Sequence, residues 1–152
     1  MKKKITLSIA LLFVLGAALP VYAMNGKDHG SMTTSHTELA ELGEQTVDGV
    51  KATAQLGDVR EAMAAAGQPM THHLQILFTD PASGETIESG SAAVKVTTPA
   101  GEEQPARSLH GMEGHFGVDL TLSADGNYKF VVGTKLADGK KRQYEFSADI
   151  MK

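Results

Sequence analysis

Cysteine is absent from all 152 residues. That excludes disulfide staples, thiolate metal ligands and the acylated cysteine of a lipoprotein anchor. Any fold must be held by burial alone, and any metal chemistry must run on histidine, methionine or carboxylate. A glycine-rich phosphate loop, a nucleophile elbow and a helical His-Glu-x-x-His are missing as well, so no enzymatic activity is expected. A basic excess is also lacking: 14 Lys and Arg stand against 18 Asp and Glu, a formal charge of −4. Nucleic acid and anionic lipid surfaces both demand a basic face, so neither is expected as a partner.

The amino terminus has the layout of a secretory signal. Lys2, Lys3 and Lys4 precede an apolar run from Ile5 to Leu19, Pro20 breaks it, and Val21 and Ala23 supply the small side chains that a signal peptidase reads. The run is short for the ~20 residues of a membrane span. Residues 1–23 are therefore expected to be a cleaved signal peptide. Residues 24–152 would then reach a bacterial periplasm, more acidic by the loss of three lysines and with no membrane attachment.

Residues 24–45 are rich in Gly, Ser, Thr, Asn and charge, with no hydrophobic period, and read as a flexible arm. His29, Met32 and His36 fall in this arm and read as polar linker. A Cu(II) site built on the mature amino terminus needs histidine as third residue; that position is Gly26, so no such site is expected.

Residues 46–152 carry a β pattern. Leu74, Ile76 and Phe78 alternate with His73, Gln75 and Leu77; Phe116, Val118, Leu120 and Leu122 alternate with Gly117, Asp119 and Thr121. Tyr128, Phe130 and Val132, then Tyr144, Phe146, Ala148 and Ile150, repeat the period of two. Turn signals recur at Asp80–Gly84, Pro99-Ala100-Gly101, Ser123–Asn127 and Ala137–Lys140. One short helix is predicted near residues 58–66, capped by Asp58 with Glu61 three positions on, with Val59, Met63 and Ala66 inward. The whole reads as an all-β, immunoglobulin-like antiparallel β-sandwich of six or seven strands. Lys140-Lys141-Arg142 reads as a solvated hairpin, and the aspartates, Asp119 and Asp138 among them, as turn chemistry or exposed strand face.

Two short segments stand out chemically: Met70-Thr71-His72-His73 and His110-Gly111-Met112-Glu113-Gly114-His115. Thioether sulfur and imidazole nitrogen are soft and borderline donors suited to copper, above all Cu(I). Period two puts His72 with Leu74 on the core side and His73 on the other, Met70 sharing the parity of His72. His110 and Met112 share one face, and His115 lies opposite Phe116 in parity. Gly111 and Gly114 are read as letting the backbone bend at a bulge or strand entry. The expected ligand set is Met70, His72, His110 and Met112, with His73 and His115 as exchangeable members. Glu113 could serve a harder ion or Cu(II). Met63 reads as core filler.

The segments Pro69–His73, Met112–Gly117 and Gly126–Phe130 resemble those of the YtkA-like and CopC-like periplasmic proteins. The resemblance covers about residues 46–150. It implies a secreted immunoglobulin-like sandwich linked to copper handling, with His and Met ligands near one end. CopC-like proteins usually offer a histidine close to the mature amino terminus; here the first is His29. The expected function is a periplasmic copper chaperone or buffer, its partners the metal ion and an envelope protein. The alternative is an immunoglobulin-like interaction module, an accessory subunit of an envelope complex without a metal role, which an exposed apolar patch around Leu77 would favour.

Overall fold

The computed structural model describes residues 37–152. The expected signal peptide and residues 24–36 of the expected arm, with His29, Met32 and His36, lie outside the described residues. Eight strands and one short helix follow in order: β1 (Leu39–Val47), β2 (Val50–Asp58), α1 (Arg60–Ala65), β3 (His72–Thr79), β4 (Gly90–Thr97), β5 (Arg107–Met112), β6 (His115–Leu120), β7 (Gly126–Leu136) and β8 (Lys141–Ile150).

Every pairing is antiparallel, and the strand order is β1-β2-β3-β6-β5-β4-β7-β8. β2-β3-β6-β5 faces β4-β7-β8, which is the A-B-E-D against C-F-G arrangement of the seven-stranded immunoglobulin sandwich. β5 pairs with both β6 and β4, joining the two sheets along one side. The interior is one apolar cluster fed by alternate residues of the strands, with Phe78, Phe116, Phe130, Tyr128 and Tyr144 as its largest members. Phe78 meets Phe116 and Tyr144 at ring-centroid distances of 5.5 and 5.7 Å, within the range of favourable aromatic pairs.

β1 is the strand beyond the six or seven expected, and it brings Leu39–Gln45 out of the expected arm into the sheet. The signal for it is local. Asp48 and Gly49 both take positive φ, 44° and 73°, the two-residue hairpin turn whose twist matches that of its strands. β1 itself buries little, so its order comes from pairing with β2, interrupted by a bulge between Glu41 and Gly43.

Three further expectations are corrected. The helix spans Arg60–Ala65, its cap falls on Val59 without a side-chain hydrogen bond, and none of its residues is buried. Asp58 stays in β2; its carboxylate accepts the Arg60 backbone N–H at 3.0 Å and clasps the Arg60 guanidinium. Gly111 sits in register with Phe116 inside β5, and the backbone turns instead at Glu113-Gly114. Arg142 is 5% exposed, not solvated. Its guanidinium donates to the Asp138 carboxylate and to the backbone carbonyls of Val47 and Asp48.

Those Arg142 bonds tie the β1–β2 turn to the β7–β8 turn. Nearby, the Tyr144 hydroxyl donates to the Val50 carbonyl at 3.2 Å. Higher up, the Gln45 side-chain amide bonds both the N–H and the carbonyl of Glu145, at 2.9 and 2.6 Å. β1 and β8 are thus clamped at one end by side chains, although no backbone hydrogen bond pairs them among the described residues.

Candidate metal centre

The outer face of the β3–β6–β5 sheet collects most of the expected donors. Register decides which. His73 lies opposite Asp119, Gln75 and His110 flank Gly117 on its two sides, and Met112 lies opposite His115. Because residues in register share a face, His73, Asp119, His115, His110 and Met112 are all presented outward. Phe116, Val118 and Leu120 take the inner face of β6.

Two imidazoles are already positioned. His73 Nδ1 lies 2.7 Å from Asp119 Oδ1, and His115 Nδ1 lies 3.1 Å from the Glu113 carbonyl oxygen. A carboxylate and a carbonyl only accept, so Nδ1 carries a proton in both rings, and in the neutral ring the lone pair lies on Nε2. This oxygen-held Nδ1 is how protein imidazoles are oriented for metal binding through Nε2. The two rings stand edge to face with centroids 6.4 Å apart. An imidazole bound through nitrogen holds its centroid about 3 Å from the ion, since metal–nitrogen bonds run ~2.0–2.1 Å. The observed spacing therefore suits a wide nitrogen–metal–nitrogen angle, which low-coordinate Cu(I) accepts.

Gly117 explains how the rings come so close to the sheet. A Cβ at this position would lie 2.8 Å from His73 Nε2, 2.9 Å from His73 Cε1 and 3.6 Å from His115 Cδ2. The Nε2–Cε1 edge of His73 thus borders the space that a side chain would fill, and Cδ2 of His115 reaches it from the other side. Glycine inside a strand weakens it and marks a close approach of another group; here that group is the His73 imidazole.

His110 and Met112 complete the outward set from β5. Both are exposed, Met112 at 46%, and they stand in register with Gly117 and His115. No three His, Asp or Glu side chains among the described residues stand close enough to hold an ion as placed. The preformed part of the candidate centre is therefore the two imidazoles.

His72 and Met70 do not join this group. His72 shares the inner face with Leu74, as its parity predicts, and is 5% exposed. Its Nδ1 lies 2.8 Å from the Thr71 hydroxyl oxygen. Burial pushes its pKa down, opposed by the negative charge of Asp58. A sheet backbone separates it from His73, so the expected grouping of His72 with His110 and Met112 is replaced by His73 with His115. Met70 precedes β3, where Thr71 N–H bonds the Leu120 carbonyl. Leu120 ends β6 and His115 begins it, about 17 Å away along a strand. Sequence reading missed Gly117 and Asp119, although the outward parity of Asp119 with His73 and a glycine in mid-strand were both visible.

No family model matches the chain, and no curated protein matches it. Among solved structures, the fold is similar to that of a DUF4426 family protein from Pseudomonas aeruginosa PAO1. The TM-score is 0.57 at 12% identity, over 73% of this chain and 94% of that one. The PmoD soluble domain from Methylocystis sp. ATCC 49242 (Rockwell) matches at a TM-score of 0.40 and 12% identity, over 71% of this chain and 96% of that one. At this identity the likeness to the first is one of fold alone.

Proposed function

We propose that the chain is a periplasmic metal-binding protein that holds copper as Cu(I) and acts as a chaperone or buffer, without enzymatic activity of its own. The observation that carries the reading is the pair His73 and His115. Both have Nδ1 tied to an oxygen acceptor, and both reach the space over Gly117, His73 by its Nε2 and His115 by its Cδ2. Met112 and His110 supply the exchangeable donors, thioether sulfur favouring Cu(I) over harder ions. An open, shallow position on a sheet face leaves room for an envelope partner to offer its own donor, so the ion can pass by ligand exchange.

The alternative of an interaction module without metal gains nothing from the face that was to support it. Leu77 is half-buried, and the large exposed apolar side chains among the described residues are Leu39, Met112 and Met151, on separate elements.

Anaerobic Cu(I) titration against a chromophoric competitor tests the proposal. His73→Ala/His115→Ala should lower the affinity by at least about 100-fold, whereas Met70→Ala should leave it unchanged. Wild-type affinity in the double variant would sink this site, and no stoichiometric binding by the wild-type chain would sink the function.

A further inference from the structure

The clamp between β1 and β8 covers only part of their length. Arg142, Tyr144 and Gln45 close the end near the two turns. Beyond Gln45, the stretches 38–42 and 147–150 diverge around a cleft of about 540 Å³. No backbone hydrogen bond crosses it among the described residues. Among the described residues each wall is therefore an edge strand whose outer main-chain groups have no strand partner, a template for another strand. The bulge at Glu41/Gly43 sets this half of β1 apart from the clamped half.

The lining has a definite chemistry. Leu42, Leu56, Ala148 and Ile150 form an apolar floor, and Glu38, Glu41, Asp58 and Asp149 supply carboxylates, with no Lys or Arg among the lining residues. Two cations stand beside the cleft without lining it: Arg60, which pairs with Asp58 and borders Glu38, and Lys129, in register with Ser147 on β7. At the bottom sits His72, 5% exposed, its Nε2 without a hydrogen-bond partner among the described residues. The ring lines the cleft, so a segment lying there would meet its edge.

We propose that the open half of the β1–β8 seam is a docking groove for an extended protein segment in which basic residues alternate with apolar ones. Such a segment pairs its main chain with the edge of β1 or β8, in the manner of β-strand addition. Its apolar side chains rest on Leu42, Leu56 and Ile150, its basic ones meet Glu38, Glu41 and Asp149, and a polar main-chain group satisfies His72 Nε2. The inference is independent of the copper reading.

The test uses the full secreted chain and a labelled peptide of about eight residues, a common strand length, alternating lysine and valine. Fluorescence anisotropy should show binding, and amide exchange should show new protection in 39–42 and 147–150. The same peptide carrying proline at every second valine, which cannot pair as a strand, should not bind. Glu38→Lys/Glu41→Lys/Asp149→Lys replaces exposed or rim side chains, so its circular dichroism and melting temperature should match wild type; it should bind the lysine peptide at least about tenfold more weakly. The proposal is overturned if the lysine peptide does not bind, if an alternating glutamate–valine peptide binds equally, if the charge-reversed variant binds as wild type does, or if protection appears elsewhere.

Discussion

His72 and His73 are one peptide bond apart and live in different media. His72 is enclosed with Leu74 and Ile76 on the inner face, its charged form disfavoured by burial. His73 stands on the outer face, partly exposed, with Asp119 holding its Nδ1. The same contrast runs through β6, where Phe116, Val118 and Leu120 build the core while His115, Gly117 and Asp119 build the outer surface. One face of these strands holds the sandwich together and the other is free for chemistry. Residue type alone does not separate them, because a histidine occurs on each.

The comparison breaks most visibly from the inside. Phe78→Ala removes a fully buried ring that touches Phe116 and Tyr144, and about 3–5 kcal/mol of stability should go with it. Chemical denaturation would show this as a lowered midpoint, whereas His73→Ala/His115→Ala should leave the midpoint nearly in place. Equal losses of stability in the two variants would mean that the outer face is structural too.

On the outside, Asp119→Asn keeps the shape and removes the charge that fixes the His73 tautomer. Metal affinity should fall by about 10–100-fold, with the melting temperature little changed; an unaltered affinity would detach Asp119 from the centre. Gly117→Ala is a finer probe. The new methyl group would lie 2.8 Å from His73 Nε2, too close for contact, and the far end of a side chain yields easily. The ring should swing off the sheet, lowering affinity by about tenfold with little effect on folding. A folded variant with intact affinity would show that the ring position over Gly117 is not needed.

The smallest effect concerns His72. Its folded pKa is lowered from 6.5, so between the two values the unfolded chain binds the extra proton. Its contribution to stability is then whole above about pH 6.5 and is lost progressively as the pH falls towards the folded value. His72→Gln should flatten the stability-against-pH curve just below pH 6.5, and Cu(I) affinity at neutral pH should not follow it. An unchanged curve would show that His72 is not held neutral by burial.

Much of the sandwich was readable from the chain. The alternations ending in Phe78, in Leu120 and in Ile150 became inner faces, and Ala137–Lys140 became the last turn. β1 was not readable as a strand, because it is mostly exposed and has no apolar period of its own; the Asp48-Gly49 turn was the signal for it. Arg142 misled because a cluster of basic residues beside a turn reads as solvated. It is buried only because the β1–β2 turn comes close enough to supply carbonyl acceptors.

By itself, the sequence determined period, parity and chemistry. It put His72 inward and His73 outward, set His110 and Met112 on one face, and offered imidazole and thioether where cysteine is lacking. Tertiary structure decided register. That β6 lies between β3 and β5, with Gly117 between Gln75 and His110, is what brings His73 and His115 within 6.4 Å. Parity is a property of one strand and follows from backbone geometry. Which outward residues become neighbours depends on pairings between strands distant in sequence, and these are set by how the whole core packs.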